Sequence, residues 1–154
     1  MKISDILKPE YVLADIQAMT KKDILTELSR PIAENYDVDL DEMVGVLLNR
    51  EKLGSTGIGE GVAIPHGKMG GLKSIVASIG KSREGLKFDA LDGKPCHIFF
   101  LLAAPSNSVS GHLKALARAS MLLKNPSLRE NLLKADTPSE IYRVITEYDN
   151  RLDE

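Results

Sequence analysis

The sequence predicts an α/β domain, on three observations. Segments with apolar residues at helical spacing occupy both the first and the last third of the chain. Between them lies HIFFLLA (His97–Ala103), which has no polar alternation after its first residue and reads as a central strand buried on both faces. Upstream stand a second β-rich stretch, SIVASI (Ser74–Ile79), and an Asp-Gly turn signal in Leu91-Asp92-Gly93-Lys94. Helices, then strands, then helices again imply α/β in one domain, residues 1–154, with no linker, repeat or low-complexity segment.

Taken in order, Tyr11–Ile16 (YVLADI) is β-rich at its start and partly alternating, a short strand. Lys22 to Ala33 sets Ile24, Leu25, Leu28 and Ile32 at helical spacing, with Thr20 as its N-cap. Asp39 or Asp41 caps a second helix with the apolar face Leu40, Val44, Leu47 and Leu48. It closes on the cations of Arg50–Lys52 before Gly54. Residues 54–61, GSTGIGEG, are expected to be loop or tight turn. After the two strands, Ser108 or Ser110 caps a helix bearing Leu113, Leu116, Ala117, Ser120 and Leu123, and Pro126 follows its end. Ser127–Ala135 and Pro138–Tyr148 are helical, the latter capped by Thr137 with Pro138 in its first turn.

Composition excludes several classes of function. A chain of 154 residues can bury a core without disulfides or metals. Cys96 is the one cysteine, so neither an internal disulfide nor a thiolate zinc site can form, and a reducing cytoplasm is the expected compartment. Net charge is -2 with no basic block, so the electrostatic footprint for nucleic acid or an anionic membrane is missing. The opening MKISDILKPE carries charges at Lys2, Asp5, Lys8 and Glu10, unlike the apolar region of a signal peptide. The longest charge-free stretch, Pro95–Leu113, is interrupted by Ser106, Asn107, Ser108 and Ser110, too short an apolar core for a bilayer span.

The glycine run invites a nucleotide-binding reading that spacing rejects. A dinucleotide fingerprint from Gly57 or Gly59 would need glycine where Val62 and Ile64 stand. A P-loop ending at Gly67-Lys68 would need glycine at Val62 and a hydroxyl at Met69. The run reads instead as a loop needing positive φ that could let backbone approach an anion. Of the histidines, His97 opens the buried strand and reads as a satisfied strand-end residue. His66 is framed by Pro65, which fixes φ, and Gly67, which removes a Cβ, so it is expected exposed and held in one orientation. His112 lies in a helix first turn, where free N–H groups favour an anion, though alone it reads as a partly exposed helix-start residue. Arg50, by default a cation facing its own helix end, immediately precedes the glycine loop. Together these residues suggest phosphoryl chemistry: a neutral imidazole is a good nucleophile, and an arginine fork suits the oxygens of a transferring phosphoryl group. Metal-ligand spacings and a G-x-S-x-G elbow are both missing.

REKLGSTGIGEGVAIPHGK (50–68) resembles the active-site segment of fructose/mannitol-type IIA domains of the phosphoenolpyruvate-dependent sugar phosphotransferase system. GLKFDALDGKP (85–95), IFFLLAAP (98–105) and GHLKALARASMLL (111–123) match at family-like spacing, over nearly the whole chain. The free-standing nitrogen-regulatory IIA proteins are the most similar branch. The resemblance implies a mixed β-sheet flanked by helices and a phosphotransferase component with no small-molecule turnover of its own, needing neither cofactor nor metal. It implies that His66 is phosphorylated through Nε2, that His112 faces it and hydrogen-bonds the phosphoryl group, and that Arg50 supplies positive charge. The implied donor is an HPr-type phosphohistidine carrier, itself charged by enzyme I.

Three functional readings follow from it. A regulatory phosphocarrier would carry a stable phosphohistidine and signal to target proteins. A sugar-specific IIA component would pass the phosphate to a IIB domain. A binding module would no longer be phosphorylated, a reading disfavoured by the joint presence of His66, His112 and Arg50. In each, His66 and the glycine loop are expected at the rim of a shallow, largely apolar docking surface.

Overall fold

The computed structural model describes residues 1–153. A 3-10 turn (Ile3–Asp5) leads into β1 (Leu7–Leu13), followed by α1 (Lys21–Asn35), α2 (Leu40–Lys52), β2 (Gly57–Gly59), β3 (Val62–Ala63), β4 (His66–Met69), β5 (Val76–Leu86), β6 (Cys96–Pro105), α3 (Ser110–Leu123), α4 (Pro126–Lys134) and α5 (Pro138–Arg151). Among these, the sheet runs β1-β5-β6-β3-β2, with β4 also paired to β6. It is mixed: β5 and β6 are antiparallel, while β1 runs parallel to β5, and β3 and β4 run parallel to β6. This is the expected mixed sheet flanked by helices.

β6 is the centre of the core. All of it is buried except the half-buried His97, as its unbroken apolar run requires. Phe99 packs its ring against Phe88 at 5.5 Å, edge on. Alternation along β5 assigns the two layers of helices. Ser78 donates to the Leu28 carbonyl of α1, and Gly80 leaves room for Ile16 and Leu28. Lys81, one residue on, faces the other way and donates from Nζ to the carbonyls of Leu133 and Ala135 at the end of α4. The sheet is therefore covered on both faces.

The capped helices begin where sequence places them. Thr20, Asp39 and Thr137 each accept the N–H three residues on, and Asn125 caps α4 just ahead of Pro126. Other expectations change. β1 starts at Leu7, earlier than YVLADI suggests, because an edge strand tolerates Pro9 where its register shifts between Leu7 and Val12. β5 starts at Val76 and extends to Leu86, through an irregularity at Gly85. Neither Ser108 nor Ser110 caps α3, whose N-cap Val109 is itself in a helical conformation without a side-chain bond. The buried stripe of α3 is His112, Ala115, Ala119, Leu122 and Leu123, while Leu113 is 61% exposed. Two stripes at helical spacing compete on this helix, and the one rich in alanine packs against the protein.

The glycine run is partly strand. Gly57–Gly59 forms β2, paired antiparallel to β3, and only Glu60-Gly61 is the connecting turn. Both turn residues have positive φ, 58° and 76°, the geometry of a two-residue primed hairpin that favours Asn-Gly. Glu60 sits there against its preference, and its pair with Arg129 at 3.7 Å is too exposed to offset much. Replacing Glu60 with asparagine is expected to raise stability by about 0.5–1 kcal/mol in urea unfolding. An unchanged or lower stability would contradict this account of the turn.

Candidate functional site

The site is built around a break in one strand line. β3 and β4 lie along the same side of β6: Val62 and Ala63 pair with Ile98 and Phe99, and His66 and Gly67 with Leu102 and Ala103. Between them stand Ile64 and Pro65. Pro65 has no N–H for a ladder, yet its carbonyl still accepts from Leu102 N at 2.9 Å. Ile64 turns its N–H away from β6, to the Thr56 carbonyl at 3.0 Å. That leaves the Ile64 carbonyl for the side chain two residues on, and His66 Nδ1 lies 2.8 Å from it. A carbonyl can only accept, so Nδ1 carries the proton and Nε2 carries the free lone pair.

His66 therefore opens a strand rather than ending a loop, and it is half-buried where the sequence suggests an exposed residue. Gly67 serves α2 rather than a ligand: a Cβ there would stand 2.9 Å from Val46 Cγ1 and 3.6 Å from Leu47. By strand alternation His66 and Lys68 face the opposite side, toward α3. There His112 stands with its ring centroid 5.5 Å from that of His66, the planes tilted by 49°. His112 is only 7% exposed, against the expectation of a partly open helix start, because it lies on the same stripe as Ala115 and Ala119. Its Nδ1 is buried without a hydrogen-bond partner.

Charge around the pair is mostly positive. Arg50, in the last turn of α2, bonds the Gly54 carbonyl through Nη1 at 2.8 Å and so tethers the following loop to its helix. Burial holds His66 below the ordinary imidazole value. The Ile64 bond opposes that, Arg50 adds to it, and Glu51 pulls the other way. His112 is also held low, first by burial, then by His66 and Lys68. The structure thus brings His66 and His112 together with Arg50 and Lys68 as neighbouring charges. Lys68 escaped the sequence reading because HGKM gives no sign of being a strand; once it is one, period two puts Lys68 beside His66.

His97 belongs elsewhere. It sits five residues before Leu102 along β6, about 16 Å away at the rise of a strand. Its Nδ1 is bonded to the Ser82 carbonyl at 3.0 Å. Cys96 is fully buried and its thiol is pushed up to about 11, chiefly by burial, which makes it a poor nucleophile near neutrality. Among the described residues no cluster of side chains could hold a metal ion, and no helix is long and apolar enough to cross a membrane.

A family model for the phosphoenolpyruvate-dependent sugar phosphotransferase system, EIIA 2, matches residues 5–148. The chain belongs to that family. Its similarity to a nitrogen regulatory protein of Bradyrhizobium diazoefficiens is 38% identity over 145 residues, covering 94% of this chain and 95% of that one. A second relative is the fructose-specific EIIABC component of Bacillus subtilis, 34% identical over 150 residues. Those residues are 97% of this chain but only 24% of that protein. In structure, this EIIA chain superposes on the nitrogen regulatory protein IIA-Ntr from Neisseria meningitidis with a TM-score of 0.88. Identity there is 33%, over 94% of this chain and 99% of that one.

The two lowered histidines give this EIIA chain a pH signature. Between their folded values and the ordinary 6.5, the unfolded chain binds more protons than the folded one, so stability rises with pH across that window. Their contribution is complete above pH 6.5 and lost as pH falls below it. Urea unfolding from pH 8 to pH 5 should show the decline, and replacing both histidines by glutamine should flatten it. An equally steep decline in the double variant would assign the effect to other groups.

Proposed function

We propose that this chain is a phosphocarrier: His66 accepts a phosphoryl group on Nε2 from an HPr-type phosphohistidine protein and passes it on, signalling phosphorylation state to regulatory targets. The observation that carries this reading is the bond from His66 Nδ1 to the Ile64 carbonyl, which leaves Nε2 unprotonated beside a second buried histidine.

The chemistry follows from that tautomer. Nε2 attacks the donor's phosphorus as the donor P–N bond breaks, and the bonding pair returns to the donor nitrogen. Nδ1 keeps its proton, so the newly phosphorylated ring is cationic and its N–H stays on Ile64. Burial keeps His66 neutral beforehand, which preserves the lone pair. Charge on the oxygens of a loose transition state is met by the Arg50 guanidinium, by Lys68, by His112 and by the first-turn amides of α3.

Docking is supported by the outer face of α3. Because the alanine stripe is buried, Val109, Leu113 and Met121 are left 62%, 61% and 58% exposed. With Ala117 they form a row at i, i+4 spacing that begins beside His112. The row continues into a groove of about 330 Å³ lined by Met1, Ala117, Met121 and Leu152 together with the cations Lys114 and Arg118. An exposed apolar row of this kind suits a protein partner brought to the histidines. The regulatory reading draws on end-to-end similarity to a nitrogen regulatory protein. A sugar-specific role with a IIB acceptor is the second reading, favoured by the similarity to the fructose component.

Incubation with phosphoenolpyruvate, enzyme I and an HPr-type carrier should add one phosphate, labile in acid and stable in base. His66→Ala should fold and gain none; a variant that still takes up phosphate overturns the assignment. His112→Ala should slow transfer in both directions by about 10²-fold, as when one preorganised donor is lost, while retaining some phosphorylation. Unchanged rates would remove His112 from the site. Release of the phosphate to a IIB domain, rather than its persistence, would decide for the sugar-specific reading.

A further inference from the structure

Glu51 is buried, with its side chain only 4% exposed, although the resemblance assigns it no part in the site. Its Oε1 accepts from Thr56 N at 3.1 Å and from the Thr56 hydroxyl. Its Oε2 receives Lys21 Nζ at 3.1 Å, and Lys21 also meets Asp89 at 3.2 Å. A carboxylate so placed has given up water for one backbone amide, one hydroxyl and one ammonium. Held in this way, Thr56 presents its carbonyl to Ile64 N at 3.0 Å, and Ile64 presents its own carbonyl to His66 Nδ1 at 2.8 Å. Three successive contacts thus join the buried carboxylate to the imidazole.

We propose that Glu51 is the positioning residue of His66. Its carboxylate fixes, through Thr56 and Ile64, the carbonyl that holds the Nδ1 proton, and its charge steadies the cationic ring formed when Nε2 is phosphorylated. The inference rests on the phosphocarrier reading for its consequence, though not for its geometry. It resembles the orienting carboxylate of a nucleophile–histidine–acid triad, with two backbone carbonyls between acid and histidine. The opposing groups are cationic: Arg50 on α2 and Lys68 on β4, with neutral His112 facing from α3. Lys21 on α1 sets how much of the Glu51 charge reaches the ring, since it neutralises that carboxylate directly.

The test uses two substitutions with opposite electrostatic sign, Glu51→Gln and Lys21→Met, read by NMR titration of the His66 ring in the unphosphorylated protein. Glu51→Gln should lower the His66 titration midpoint below wild type, and Lys21→Met should raise it. A merely structural role would weaken the fold in both cases without opposite shifts. Phosphorylation by an HPr-type carrier should slow about tenfold in Glu51→Gln, as when a reactive histidine loses an orienting partner. A Glu51→Gln protein with wild-type midpoint and wild-type rate overturns the proposal. Should that variant not fold, a Lys21→Met midpoint at or below wild type overturns it instead. The titration needs no phosphoryl donor, so a wild-type protein that refuses phosphate would refute the carrier reading alone.

Discussion

A proline inside a strand line is ordinarily a defect, since it cannot donate to the ladder and splays its neighbours. Here Pro65 interrupts the line of β3 and β4 along β6, and the interruption frees one backbone carbonyl, that of Ile64, for a side chain. That single 2.8 Å contact sets which nitrogen of His66 holds the proton. Most features around it exist to keep it. β6, buried except at His97, supplies a stiff template on the far side, bonding the Pro65 carbonyl from Leu102. On the near side, the end of α2 anchors the loop through Arg50 to Gly54 and Glu51 to Thr56. Gly67 lets α2 come close enough to do so.

Two electrostatic demands meet at the site, and they conflict. In the proposed transfer a phosphoryl group on Nε2 would call for cations, and the neighbouring ones are Arg50, which makes a proton on His66 less favourable, and Lys68, which does so on His112. The cationic ring of a phosphorylated histidine needs negative charge near Nδ1, on the opposite edge. The Ile64 carbonyl and, behind it, the carboxylate of Glu51 lie on that side. Separating the two demands across one ring is possible only because the tautomer is fixed.

Much of this was legible in the sequence, and the exceptions have physical causes. Helix starts at Thr20, Asp39 and Thr137 were readable because a cap is a local event involving residues three apart. β6 was readable because burial on both faces leaves an unbroken apolar run. β4 was not: HGKM has no periodicity of its own and is a strand only because β6 offers it an edge. The face of α3 is shifted from the expected one because Leu113 outweighs alanine in any count of hydrophobicity, whereas packing favours the small side chains of Ala115 and Ala119; Leu116 and Leu123 of the expected stripe do pack against the core. Resemblance pointed to His66, His112 and Arg50 directly. Nothing local marks Glu51 as buried, since it stands between two cations at a helix end, where a charged residue is usually solvated.

The most direct measurement is the tautomer of His66 in the unphosphorylated protein near neutral pH, from ring 15N shifts and couplings in a uniformly labelled sample. The account predicts a protonated, pyrrole-type Nδ1 and an unprotonated, pyridine-type Nε2. A ring protonated on Nε2, or an even mixture of the two forms, would contradict it, because the nitrogen meant to attack phosphorus would then carry the proton.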